Sequence, residues 1–376
     1  MLKGINLTLM IGPAVPVPVP QSVLDALTSI KVTTNSGTSA SGFELTFTLS
    51  TNSPLHTILL LSGGGLPPIM RVVIVITING TPNVLMDGVM LDTQISPGSD
   101  AGHSVLTIRG KDLTALMDVI DFSGIPYPAL PNFARVLVVL AKYAALGILP
   151  LTIPEIVTDL PIPINRIPRH QGKDLAYIQK LALESGYVFY LDPGPVPGTS
   201  VAYWGPEIKI GVPQPALNIN MDAHTNVETL QFRFDKEVKK MPIVFIQEEI
   251  SKAIIPIPIP DISPLNPPLG LIPPLPPKLE PLYDSVFATP LQGIMMGLAE
   301  ASRTSDAVFG SGSLDVVRYG RILKARQLVG VRGVGPAFDG LHYVKSVTHS
   351  IKPGEYKQSF ELARNGLLST VPRVAA

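Results

Sequence analysis

The chain has 376 residues, enough for two or three domains with sizeable cores, and its 29 Lys plus Arg balance 29 Asp plus Glu to zero formal charge. That neutrality argues against a nucleic-acid binder or a polybasic membrane protein, and the absence of cysteine excludes disulfides and thiolate metal sites. With only 15% charged residues and a mean hydropathy of +0.32, the apolar surplus must be housed in cores, membranes or large interfaces.

In chain order, prolines at 13, 16, 18 and 20 break any signal-peptide core near the N-terminus, so the segment reads as mature structure. Strands are expected over 30–50, with Phe43, Leu45, Phe47 and Leu49 on one face and Glu44, Thr46, Thr48 and Ser50 on the other. After Gly63–Gly65 and Pro67-Pro68, MRVVIVITING reads as a β-branched strand ending in an Asn79-Gly80 turn. VLMDGVMLDTQIS and HSVLTIRG read as a hairpin across Pro97-Gly98-Ser99.

The texture changes at GKDLTALMDVI, where Asp112 is placed to cap a helix bearing Leu113, Leu116 and Met117. Residues 133–153 are strongly apolar, but Arg135, Lys142, Gly147 and Pro150 leave a clean stretch shorter than the roughly 20 residues of a membrane span. A buried helix from Phe133 is expected instead. A second helix is predicted over 171–186, with Asp174 as cap, Leu175, Ile178, Leu181 and Ala182 as buried stripe, and Gly186 as stop. The aromatic segments YVFYLDPG and VAYWG then complete a small α+β insert.

Strands resume near Val227 with QFRF and PIVFIQEEI. Eleven prolines fall between Pro256 and Pro281, in a tract that cannot form helix or central strand and should be extended. Because this 254–281 arm carries little charge and many apolar residues, Ile257, Ile259, Leu265, Leu271 and Leu275 are candidates for packing on a partner. A helix with Leu291, Ile294, Met295 and Leu298 follows, and then more strands.

The hairpin pattern occurs twice. Residues 84–110 and 337–366 each run through Asp-Gly, a strand, a Pro-Gly turn, a strand and Arg with Gly, and each is preceded by an apolar strand starting at an arginine. The marker residues are Asp87, Gly88, Arg109 and Gly110 in the first copy. In the second they are Asp339, Gly340, Pro353, Gly354, Arg364 and Gly366. In the second copy alternation places Leu341, Tyr343, Val347 and Ile351 on an apolar face, with His342 opposite and His349 among the apolar residues. The expected fold is α+β and mainly β. A first antiparallel barrel domain covers 1–112, a helical connector with the α+β insert covers 113–223, and a second barrel domain containing the Pro-rich arm covers 224–376.

Catalytic, cofactor and metal sites are not expected. The histidines at 56, 103, 170, 224, 342 and 349 are scattered, and neither a nucleophile elbow nor a phosphate loop is present. Glu248-Glu249 are strand neighbours and would point to opposite faces.

IPRHQGKDLAYIQKLALESGYVFYLDPG and FDGLHYVKSVTHSIKPGEYKQSFELARNG together resemble phage late control protein D and the hub portion of valine-glycine-repeat spike proteins in type VI secretion. The resemblance implies a non-enzymatic baseplate hub of a contractile injection system, assembled in the cytoplasm and then carried in a phage-like particle. It further implies a homotrimer of tube-like barrels, in which three chains with two barrels each offer six quasi-equivalent positions. Its partners would be a hexameric inner tube, a trimeric spike, and baseplate wedge or tube-spike adaptor proteins. Only LLSTVPRVAA follows Gly366, so the spike is expected on a separate polypeptide. The alternative is a tail-associated or secreted β-rich module gripping a cell-wall polymer.

Overall fold

The computed structural model describes residues 5–13, 15–37, 39–49, 53, 55, 70–97, 104–155, 160–164, 166–247, 253–260, 267–274, 278–283, 290–371 and 374. The N-terminal strands are β1 (Ile5–Pro13), β2 (Val17–Pro18), β3 (Leu27–Asn35), β4 (Gly42–Leu49), β5 (Met70–Ile78), β6 (Thr81–Pro97) and β7 (Ser104–Asp112). The alternation in β4 is realised: Phe43, Leu45, Phe47 and Leu49 are all buried, and the residues between them are half-buried. Asn79 (φ 50°) and Gly80 (φ 81°) form the tight β5–β6 turn, whose positive φ angles these two residue types tolerate.

The insert contains β8 (Ile148–Thr152), β9 (Val188–Pro193) and β10 (Ser200–Gly205), ordered β8-β10-β9, with helices Asn132–Ala141 and Asp174–Ser185. Its core is separate, built on Val136, Leu140, Ile178, Leu181, Phe189 and Trp204. No helix among the described residues is long and apolar enough to cross a membrane. The apolar stretch at 133–153 is instead a ten-residue helix followed by β8. Asp112 caps its short helix by accepting from Thr114 N. Asp174 does not cap. It is the first helical residue, and its buried carboxylate accepts from Lys142 Nζ and Tyr143 Oη, each at 2.7 Å.

The C-terminal strands are β11 (Gln214–Asn218), β12 (Thr229–Phe234), β13 (Lys240–Gln247), β14 (Ile254–Pro258), β15 (Gly270–Ile272), β16 (Lys278–Leu282), β17 (Val308–Asp315), β18 (Leu328–Arg332), β19 (Gly340–Lys352), β20 (Glu355–Arg364) and β21 (Leu367–Ser369). β11 lies before residue 224 yet pairs with β18. The Pro-rich arm forms edge strands, as proline requires: β14 and β16 flank β13, and β15 pairs with β21.

The two β-regions repeat one topology. In the first, β3 pairs with β4, β4 with β7, β7 with β6 and β6 with β5, all antiparallel. In the second, the order β12-β17-β20-β19-β18 reproduces it, again antiparallel throughout. Beyond these five strands the copies diverge, since β1 joins β5 antiparallel and β11 joins β18 in parallel. The arm and the helix Pro290–Arg303 are inserted between β12 and β17, where the first copy has only the short β3–β4 connection.

Both hairpins carry a one-residue bulge at the same place, between Met90 and Asp92 and between Val344 and Ser346. Superposing the bulges sets Met90 on Val344, two residues away from the match made by the Asp-Gly pairs. The extra residue also switches the face of what precedes it. His342 is therefore fully buried, packed 5.0 Å from the Phe232 ring centroid, and does not face water as strict alternation predicts. Tyr343 and Leu341 pack with Leu328 and the arm's Leu269, apart from the main core that holds Val344 and Val347.

The halves are not separate bodies. β3 pairs with β19 from Ile30↔Ile351 to Asn35↔Ser346, which makes one continuous sheet of thirteen strands among the described residues, and the main core draws side chains from both regions.

Candidate functional site: an assembly surface

The marker residues separate into different structural roles. In the second copy, Arg364 is fully buried, and its guanidinium donates to the carbonyls of Gly366 (2.7 Å), Asp339 (3.0 Å) and Ala337 (2.6 Å). Burial lowers its pKa to about 10, partly offset by Asp339. The Asp339 carboxylate accepts from the backbone of Val334 and Gly335. Gly340 has φ +118°, and Gly366 lies so close to Ile272 O that a Cβ there would stand 2.5 Å from it. Asp339, Gly340, Arg364 and Gly366 thus converge on one buried corner, against which the arm strand β15 lies. Pro353 and Gly354 form the exposed turn joining β19 to β20.

The first copy differs. Asp87 and Gly88 lie inside β6 and make no turn. Gly88 and Gly110 allow close strand approach: a Cβ on Gly110 would lie 2.2 Å from Val89 O and 2.4 Å from the Phe43 ring. Arg109 is half-exposed and pairs with Glu44 at 2.7 Å and Asp92 at 3.4 Å.

Two arginines clasp the insert to the sheet. Arg71, at the start of β5, forms a bidentate pair with Asp87, both bonds 2.7 Å, and donates to Gly198 O at 2.9 Å. Arg326, just before β18, donates to Asn35 O at 3.0 and 2.7 Å and to Asp192 at 2.9 Å, and its guanidinium lies 3.8 Å from the Tyr190 ring centroid. These are the arginines that open the apolar strand ahead of each hairpin copy. Their position was the available sequence signal for a joint that pattern reading did not assign.

The arm folds on its own chain. Ile259 is buried against Gly297 of the helix Pro290–Arg303, Ile257 is half-buried and Leu271 is exposed. Leu265, Leu275, His56, His103, Glu248 and Glu249 lie outside the described residues.

Among the described residues, no three His, Asp or Glu side chains are grouped to hold a metal ion. His170 touches Tyr127 Oη at 3.0 Å through Nδ1 and Asp174 at 3.3 Å through Nε2, but its side chain is wholly buried, which lowers its pKa. His349 is likewise buried beside Tyr356 Oη at 2.8 Å.

No protein-family model matches the sequence, and no curated protein matches it. Solved structures do match. A tail protein from Neisseria meningitidis aligns with a TM-score of 0.65 at 12% identity, covering 97% of this chain and 98% of its own. The 43 kDa tail protein of prophage MuSo2 from Shewanella oneidensis gives 0.63 at 13% identity, covering 96% and 98%. An Escherichia coli component of the type VI secretion system, described as similar to T4 bacteriophage tail proteins, gives 0.54 at 10%, covering 93% and 75%. The chain has the fold shared by these phage tail and secretion-system proteins.

Proposed function

We propose that this protein is a structural baseplate hub of a contractile, phage-tail-like injection system. It would act as a homotrimeric adaptor between a hexameric inner tube and a trimeric spike. The observation that carries the reading is the five-strand topology present twice in one continuous sheet, bulge included. Two like β-units per chain give a trimer six similar units, which suits a sixfold ring on one side and threefold symmetry on the other. The fold likeness to tail proteins over nearly the whole chain supports the same reading. So do the seam at β3–β19 and the two arginine clasps, because a part that transmits thrust needs rigid joints rather than a reactive side chain. Baseplate wedge or adaptor proteins would contact the arm, where Leu271, Ile272 and Leu279 remain exposed. The particle would be assembled in the cytoplasm.

Light scattering on the purified full chain tests the reading. A species of three times the 40.2 kDa chain mass is expected. A monomer that stays monomeric at high concentration overturns it.

A further inference from the structure

The seam inside the chain is a template for a second one. At that seam, β3 of the first copy lies along the C-terminal half of β19 of the second, with Ile30↔Ile351, Val32↔His349, Thr33↔Thr348 and Asn35↔Ser346. By topology and bulge position, β12 is the counterpart of β3, and β6 is the counterpart of β19. The chain therefore contains the same two elements once more: β12 begins the strand order, and β6, although followed by β5, β1 and β2, is paired with β5 only along its N-terminal half. Among the described residues, β12 pairs only with β17, on one side. In β6, the segment from Asp92 to Pro97 pairs, among those same described residues, only with β7, because the ladder with β5 ends at Val89.

We propose that β12 of one chain adds antiparallel to the Asp92–Pro97 segment of β6 in a second copy of this chain, in the register of the β3–β19 seam. The proposal rests on the hub reading and names the strands that would close its ring.

The register follows from the ladders. Matching β4 to β17 through their bonds to β7 and β20 sets Ile30 on Leu230, Val32 on Phe232 and Thr33 on Arg233. Superposing the bulges sets Ile351 on Pro97, His349 on Ile95 and Thr348 on Gln94. Between chains, Leu230 then faces Pro97, Phe232 faces Ile95, and Arg233 faces Gln94.

The chemistry of these residues agrees with that pairing. Along β12, Leu230, Phe232 and Phe234 are half-buried and alternate with exposed Thr229, Gln231 and Arg233. Leu230 and Phe232 already pack against the main core, so the inward face of β12 is apolar. In β6 all residues from Leu91 to Pro97 are exposed, including Ile95 at 48%, although its partner on β7, Leu106, is fully buried. His349, which occupies the Ile95 position in the closed seam, is only 4% exposed. Ile95 thus has the pattern of a core position, and no strand among the described residues of its own chain covers it. On the outward face, Arg233 would lie beside Gln94 and diagonal to Asp92, giving a charge match in place of the Thr33–Thr348 hydroxyl contact of 3.0 Å. An open strand edge of this length is a liability that a ring of identical chains removes. Because each chain offers one edge of each kind, the contact is head-to-tail and closes when the rotation permits.

The cysteine-free sequence makes the test direct. Full-length Arg233→Cys/Gln94→Cys, oxidised and run without reductant, should give a ladder ending at three chain masses. Thr229→Cys/Gln94→Cys, displaced four residues along β12, should give at least ten-fold less crosslink. A protein that is trimeric by light scattering but uncrosslinked through Arg233→Cys/Gln94→Cys overturns the strand pairing and leaves the hub reading standing. Equal crosslinking by both pairs overturns the register, and a monomer that does not crosslink overturns pairing and hub together.

Discussion

Arg326 donates to the backbone carbonyl of Asn35, 291 residues away in sequence, with its Nη2 at 2.7 Å and its Nε at 3.0 Å. Asn35 ends β3 and Arg326 sits just before β18, so this fork ties the two β-regions together where their sheets merge. The same guanidinium covers Tyr190 of the insert at 3.8 Å. Its ion pair with Asp192 adds little, because that carboxylate is 62% exposed. Arg326→Ala is expected to cost about 2–4 kcal/mol, mostly through the charged hydrogen bonds and the ring contact. Arg326→Lys should recover less than half, since an ammonium cannot fill the fork. Chemical denaturation of the two variants measures both.

Arg71 and Asp87 form the companion joint, with side chains 6% and 0% exposed. Removing one partner strands the other in the interior. Arg71→Ala should therefore destabilise by about 3–5 kcal/mol, whereas Arg71→Met/Asp87→Leu should recover most of that loss. A double mutant no more stable than Arg71→Ala would show that the pair itself, and not the stranded charge, dominates.

Local features were legible in the sequence, and long-range ones were not. The alternation of Phe43 to Leu49, the Asn79-Gly80 turn and the helix ending at Gly186 follow from period and backbone conformation alone. The doubling of the hairpin was visible too, but its register was not. Bulges at Leu91 and Lys345 leave no compositional mark, so strict alternation placed His342 on the wrong face. Asp174 looked like a cap because aspartate favours that position. Its carboxylate is instead claimed by Lys142 and Tyr143, which lie 32 and 31 residues earlier and could not be matched to it by spacing. In the helix Pro290–Arg303 the buried positions are Gly293, Gly297 and Ala301, chosen for close approach, so a search for large apolar residues misses that face.

Glycines 340 and 354 both have positive φ, at 118° and 82°, but only one is crowded. A Cβ on Gly340 would lie 2.3 Å from Ser369 Cβ, while one on Gly354 would meet nothing within 4 Å. Gly354→Ala should cost roughly 1 kcal/mol from backbone strain alone. Gly340→Val adds overpacking at the buried Arg364 corner and is expected to cost about 3 kcal/mol or more. Comparing soluble yield and denaturation midpoints of the two variants checks this. Equal losses would remove the steric role assigned to Ser369.

Stability should also fall on mild acidification. Burial lowers His349 to about 4, and burial together with Arg364 lowers His342 to about 3, from an ordinary value near 6.5. Both depressed values mean that the native state holds the neutral rings, while the unfolded chain takes up protons as pH drops through 6.5. The unfolded state therefore binds more protons below pH 6.5, and stability declines from there until the native values are reached. For His349 alone, the loss between pH 6.5 and 4 is about 3 kcal/mol. Denaturation midpoints measured across that window should fall steadily for the parent chain. His349→Gln cannot titrate and still offers Tyr356 a polar partner. Its profile should be flatter by less than half, because His342 and His170, both lowered by burial, continue to contribute. A variant profile parallel to that of the parent would mean that His349 is charged in the folded protein, contrary to its buried place in the β3–β19 seam.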